Sequence, residues 1–178
     1  MKTDDTDLAK AAGAGDRQAF AALIDRHYDG LFRLFFRLVG QKEGAEDLTH
    51  DLCLALPGKL AGFRGDAQFK TWLYRVALNA VQDRRRRAAT RAKAAAGWGA
   101  WEINRRAAEE ANQASLDWLA QAMATLPDDL RDTIALTMGE DMTQREAAEV
   151  LGISEGTVAW RLSEVRKHLK ALKEEETT

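Results

Sequence analysis

One cysteine, Cys53, stands in 178 residues, so no internal disulfide can form and no cysteine-based metal cage can be built. Proline is almost as scarce: Pro57 and Pro127 are the only two, leaving long stretches free of the residue that most often breaks helices. Alternating apolar and polar runs bounded by turn dipeptides are hard to find, which argues against sheet. No apolar stretch approaches the length of a membrane span. Met1–Asp7 is acidic and polar, with no apolar core behind a basic start, so the chain reads as cytoplasmic. No second histidine lies near His50 and no nucleophile or glycine-rich phosphate loop accompanies it, so a catalytic or metal centre there is not expected.

What is present favours helix. Hydrophobic residues make up 46% and charged residues 30%, enough for a packed core, and alanine, leucine, arginine and glutamate are abundant. The length fits one medium domain or two small ones. Net charge is −2, but its distribution is uneven. Between Phe69 and Lys93 there are eight Lys/Arg and one acid, Asp83, while acids concentrate in Met1–Asp51 and Glu174–Glu176. A basic block in a mildly acidic chain suits a protein that touches nucleic acid locally and other proteins elsewhere.

Periodicity places the elements. After a tail at residues 1–14, Asp16 is a plausible N-cap for a helix whose buried stripe runs Phe20, Leu23, Ile24, Tyr28, Leu31, Phe35 and Leu38. Gly40 ends it, and His27 lies on its apolar side as a core residue with its polar edge satisfied. A second helix starts near Glu43 with Ala45, Leu48, Leu52 and Leu56 on one face; Pro57-Gly58 should kink or stop it. A third carries Phe69, Trp72, Leu73, Val76, Ala77, Ala80 and Val81 inward and runs into Arg84–Arg87. Residues 88–114, with Trp98 and Trp101 among glycines and alanines, read as a partly helical linker. Leu116, Leu119, Met123 and Leu126 begin a second unit at 115–173, followed by a helix opened by Pro127 and closed by Gly139. The expectation is therefore all-α, with two small helical domains at 15–87 and 115–173.

Three patterns bear on function. Gln144 to Leu162 read QREAAEVLGISEGTVAWRL: Ala148 is small where two helices must approach, Gly152 falls at the turn, Ile153 plugs the corner and Ser154 caps the next helix. Val158, Leu162, Val165, Leu169 and Leu172 form the buried seam of that helix, leaving Glu155, Thr157, Ala159, Trp160 and Arg161 outward. An ordinary helical hairpin shares the periodicity, but these offsets together favour a helix-turn-helix, whose second helix reads base edges. Phe63–Arg87 interleaves aromatics with bases, a composition suited to opened DNA, although Phe69, Trp72 and Leu73 also sit where core residues belong. Glu46, Asp47, His50 and Asp51 share one outward helix face, a solvated surface by default and a protein-docking surface in the sharper reading.

GDRQAFAALIDRHYDGLFRLFFRLVG, AEDLTHDL and FRGDAQFKTWLYRVALN together resemble conserved region 2 of the extracytoplasmic-function sigma factors, within the sigma-70 family. LPDDLRDTIAL and MTQREAAEVLGISEGTVAWRL resemble their region 4. The resemblance implies a promoter-recognition subunit of RNA polymerase with no chemistry or cofactor of its own. It implies that Glu46, Asp47, Leu48, His50, Asp51 and Leu52 dock on the β′ clamp helices of core polymerase. Phe63, Arg64, Asp66, Lys70, Trp72, Arg75, Asn79, Arg84 and Arg85 would read and help melt the −10 element of promoter DNA. Ser154, Glu155, Thr157, Ala159, Trp160, Arg161 and Arg166 would read the −35 element while that domain sits on the β flap. An anti-sigma protein covering these surfaces is a further implied partner.

The chain departs from the family pattern at His50, where glutamine is common, at Cys53, where a large apolar residue is common, and at Pro57-Gly58. Ala159 and Trp160 replace a common lysine and serine, and Glu164 a common base, which lowers positive charge where phosphate contact is expected. The competing reading is a stand-alone helix-turn-helix regulator whose N-terminal domain dimerises or senses.

Overall fold

The core begins where the apolar stripes of the first two long helices meet. The computed structural model describes residues 4–95, 121–138 and 142–176. Asp5–Gly13 forms α1, Arg17–Val39 α2, Lys42–Leu60 α3 and Phe69–Ala95 α4. Asp128–Thr137 forms α5, Gln144–Leu151 α6 and Glu155–Glu176 α7, preceded by helical residues 121–125. Among the described residues there is no strand, as expected.

Local chemistry accounts for most boundaries. The Asp16 carboxylate accepts from the backbone N–H groups of Gln18 and Ala19, satisfying donors that the first turn of α2 would otherwise strand. Leu23, Leu31, Leu34, Phe35 and Leu38 then face inward against Ala45, Leu48, Leu52, Leu56 and Leu60 of α3. Each fully buried leucine or phenylalanine contributes roughly 1.5–3 kcal/mol of transfer free energy. Tyr28, expected in that stripe, is 41% exposed. His27 is half-buried rather than in the core, with its polar edge satisfied as expected: its ring edge packs on Phe69 and its Nε2 pairs with the Asp5 carboxylate at 2.8 Å.

Two expectations are corrected. Residues 5–13 are a helix, not part of a tail: Ala9 and Ala12 are buried, and Asp5 also receives a bond from Arg26 on α2. Gly13 sits so close to the end of α3 that a Cβ there would lie 2.8 Å from the Leu60 carbonyl oxygen. Nor does Pro57 stop α3, which runs three residues further. Pro57 is exposed, while Leu52, Leu56 and Leu60 stay buried, so packing retains the turn that proline disfavours.

In the second unit, α6 opens with a reciprocal capping box between Thr143 and Glu146. The same bonds from Thr143, backbone first, draw the Glu146 carboxyl below its ordinary value. Gly152 ends the helix at φ 66°, a left-handed conformation that costs a side-chain-bearing residue strain. Ser154 Oγ accepts from the Thr157 N–H, opening α7, whose Val158 and Val165 are buried against α5 and α6. Leu162, Leu169 and Leu172 are half-buried. This is the helix-turn-helix anticipated from the sequence. Pro127 occupies the N-cap of α5; Leu116, Leu119, Trp98, Trp101 and Gly139 lie outside the described residues.

The two units pack together, α5 on α2 and α6 on α4, so one core cluster runs through both. α4 meets α6, the first helix of the helix-turn-helix.

Candidate nucleic-acid interface

The site residues expected from the sequence lie on α3, on α4 with the loop before it, and at the start of α7 with its cap. On α3, Glu46, Asp47, His50 and Asp51 are exposed on one face. Leu48 and Leu52 are not on it: they are 6% and 3% exposed and belong to the core, so their part is to hold the helix, not to touch a partner. Leu54 takes their place, 69% exposed and seven residues beyond Asp47 on the same side of the helix. That spacing was present in the sequence; its apolar side chain hid it among core candidates. Cys53 is half-buried, and burial pushes its thiol above the usual range, away from reactivity.

On α4 and the loop before it, the aromatics form a scaffold. Phe63, 8% exposed, meets the Phe69 ring edge-on with centroids 5.7 Å apart and the Trp72 ring at 5.2 Å. Phe63 was expected to touch DNA and is instead a floor beneath the loop; Trp72 is half-buried against it. Arg64, Asp66, Arg75, Asn79 and Arg84 are exposed. Lys70 lies over the Tyr74 ring at 5.6 Å from its centroid. The arginine run is not uniform. Arg86 pairs with Asp83, and Arg85 reaches across to α5, where its Nη1 donates to Asp132 at 2.7 Å.

On α7, Glu155, Ala159, Trp160 and Arg166 are exposed, Trp160 to 58%. Thr157 is half-buried and its hydroxyl is 2.8 Å from Ser154 Oγ. Arg161, expected outward, turns inward: its guanidinium lies 3.5 Å from the Asp129 carboxylate and 3.4 Å from the Thr133 hydroxyl of α5. A long flexible stem reaches a carboxylate behind the helix more favourably than it stays in solvent, so Arg161 braces the helix-turn-helix.

Among the described residues, no three His, Cys, Asp or Glu side chains are grouped to hold a metal, and no helix is long and apolar enough to cross a membrane.

The family model for Sigma-70 region 2 matches residues 23–91, and that for Sigma-70, region 4 matches 116–169. The chain belongs to the extracytoplasmic-function sigma factors of the sigma-70 family. It is 31% identical over 168 residues to the sigma factor SigM of Mycobacterium tuberculosis, covering 94% of this chain and 84% of that one. It is 30% identical to CnrH of Cupriavidus metallidurans over 97% of this chain and 96% of the relative. Among solved structures, CnrH in complex with the cytosolic domain of CnrY superposes with a TM-score of 0.72, at 30% identity, over 96% of this chain and 97% of that one. RpoE of Bartonella quintana, in complex with the anti-sigma factor NepR, gives 0.71 over 88% and 98% at 21% identity, a likeness of fold. Region 2 of this sigma factor is the α2–α4 unit, and region 4 contains α5–α7.

Proposed function

We propose that this sigma factor binds core RNA polymerase, directs it to specific promoters and helps open them without bond chemistry of its own. The exposed acids Glu46, Asp47 and Asp51, with His50 and Leu54, dock on the β′ clamp helices. Arg64, Asp66, Lys70, Trp72, Arg75, Asn79, Arg84 and Arg85 engage the −10 element. Cations hold the phosphates of the opened strand and the loop above Phe63 receives an unstacked base, whose extraction costs a few kcal/mol. Ser154, Glu155, Thr157, Ala159, Trp160 and Arg166 meet the −35 element while region 4 rests on the β flap; Arg161 supports them from behind. An anti-sigma protein, as in the RpoE complex, controls the chain.

The observation that carries this reading is the presence in one chain, in order, of both sigma regions, each with its own outward polar face. A stand-alone regulator using only α6 and α7 has no need of an acidic α3 face, and would bind a palindromic duplex without polymerase. Run-off transcription with purified core enzyme on genomic fragments is the test. Promoter-specific transcripts that require this chain are expected; absence of both transcripts and core binding would refute the reading.

A further inference from the structure

The loop between α3 and α4, which is proposed to receive an unstacked base, is backed along its length by α1. Where the loop begins, Gly13 lies so close to the end of α3 that a Cβ on it would stand 2.8 Å from the Leu60 carbonyl oxygen. In its middle, Gly65 adopts φ 81°, and a Cβ there would lie 3.3 Å from Lys10 Cε, 3.5 Å from Lys10 Nζ and 3.5 Å from the Thr6 methyl. Where the loop ends, the Phe69 ring packs on His27, whose Nε2 is held by Asp5 at 2.8 Å. The match to Sigma-70 region 2 begins at residue 23, and α1 lies ahead of it.

Lys10 is the residue of α1 with charge to offer this loop. It is exposed, and the end of its side chain rests against Gly65, which has no Cβ to hold it off. Among the described residues no ion pair involves Lys10, whereas Asp5 on the same helix is taken by Arg26 and His27. Ala9 and Ala12 are buried, so the ammonium is presented from a seated helix and not from a loose tail. Arg64 and Asp66, on either side of Gly65, are exposed as well. A base drawn into the loop above Phe63 leaves its phosphates at the rim. Lysine meets a phosphate as a compact point charge on a flexible stem, which positions a strand without reading its sequence.

We infer that Lys10 is a further DNA-contacting residue, which holds a phosphate of the opened strand beside the base that the loop receives.

The place of that phosphate in a promoter rests on the −10 reading; contact with single-stranded DNA is tested on the full chain without polymerase. Lys10→Ala puts a good helix former at an exposed position, so its thermal melt should match that of the wild type. Anisotropy titrations with a fluorescein-labelled, mixed-sequence single-stranded 20-mer should give Lys10→Ala a slope of log affinity against log salt smaller in magnitude by about 0.7, the share of one phosphate. Between 50 and 200 mM salt, the wild type then loses about 2.6-fold more affinity than the variant. Lys10→Arg should keep the wild-type slope. Lys170→Ala, which removes an exposed cation paired with Glu174 toward the end of α7, should keep it too. A wild-type slope in folded Lys10→Ala, or an equal drop in Lys170→Ala, overturns the inference. If the melt of Lys10→Ala differs, Lys10→Gln retains most of the stem without the charge and is judged by the same slope.

In holoenzyme, on a promoter recovered by run-off transcription, neutral methylphosphonates placed one at a time along the −10 element locate the contact. One position should weaken the wild type and leave Lys10→Ala unaffected. Equal sensitivity of the two chains at every position overturns the assignment to the −10 strand. A slope difference in a chain that yields no promoter complex supports the Lys10 contact and counts against the sigma reading alone.

Discussion

The four consecutive arginines of α4 should contribute unequally to DNA binding, and the inequality is calculable. Arg84 and Arg87 are exposed and make no ion pair with an acid among the described residues, whereas Arg86 is paired with Asp83 and Arg85 with Asp132. Each phosphate neutralised on a single strand contributes about 0.7 to the slope of log affinity against log salt. Arg84→Ala with Arg87→Ala should therefore lower the magnitude of that slope by about 1.4. Between 50 and 200 mM salt, the wild type then loses about sevenfold more affinity than the double variant. Arg86→Ala should change the slope by much less, because Asp83 already screens that guanidinium. Arg85→Ala removes a phosphate contact but also releases Asp132, so its two effects oppose. Anisotropy titrations of a labelled single-stranded 20-mer at four salt concentrations measure all of this. Equal slopes for the wild type and the Arg84/Arg87 double variant, or an Arg86→Ala effect as large as theirs, would refute the assignment.

Three further outcomes are expected. Gly13→Ala forces a methyl against the Leu60 carbonyl, a backbone atom that cannot swing aside, and should cost about 1–3 kcal/mol in thermal melts; an unchanged Tm would mean α1 is not seated there. Burial acts to raise the Asp5 carboxyl, but hydrogen bonds from Arg26 and His27 outweigh it and hold the value below 3.8. Its contribution is thus complete above the ordinary carboxylate value and fades as the pH falls through the lowered one. Asp5→Asn should cost no more than about 1 kcal/mol at neutral pH, with the gap in Tm closing in strong acid; a gap that widens there contradicts the sign. Trp160→Ala should change stability by no more than about 0.5 kcal/mol, since the ring is mostly exposed, yet weaken protection of the −35 element in holoenzyme footprints. Intact protection would place Trp160 outside the interface.

Features governed by near neighbours were legible in the sequence. Asp16, Gly152 and Ser154 act within three residues of themselves, and each performs the capping or turning its chemistry suggests. The stripe of α2 emerged from spacing alone, apart from Tyr28. Features governed by distant neighbours were not. The acids Asp4, Asp5 and Asp7 made the first residues look like a solvated tail, because nothing nearby announces that Arg26 and His27 will neutralise Asp5 and that Ala9 and Ala12 are small enough to lie flat on the core. Pro57 looked like a stop because the leucines that overrule it act through the core. Family resemblance groups Leu48, Leu52 and Phe63 with partner-facing residues, and burial separates them from the polar neighbours they position. Arg85 and Arg161 illustrate the limit most sharply: their carboxylate partners lie 47 and 32 residues away, and no periodicity encodes such a pairing.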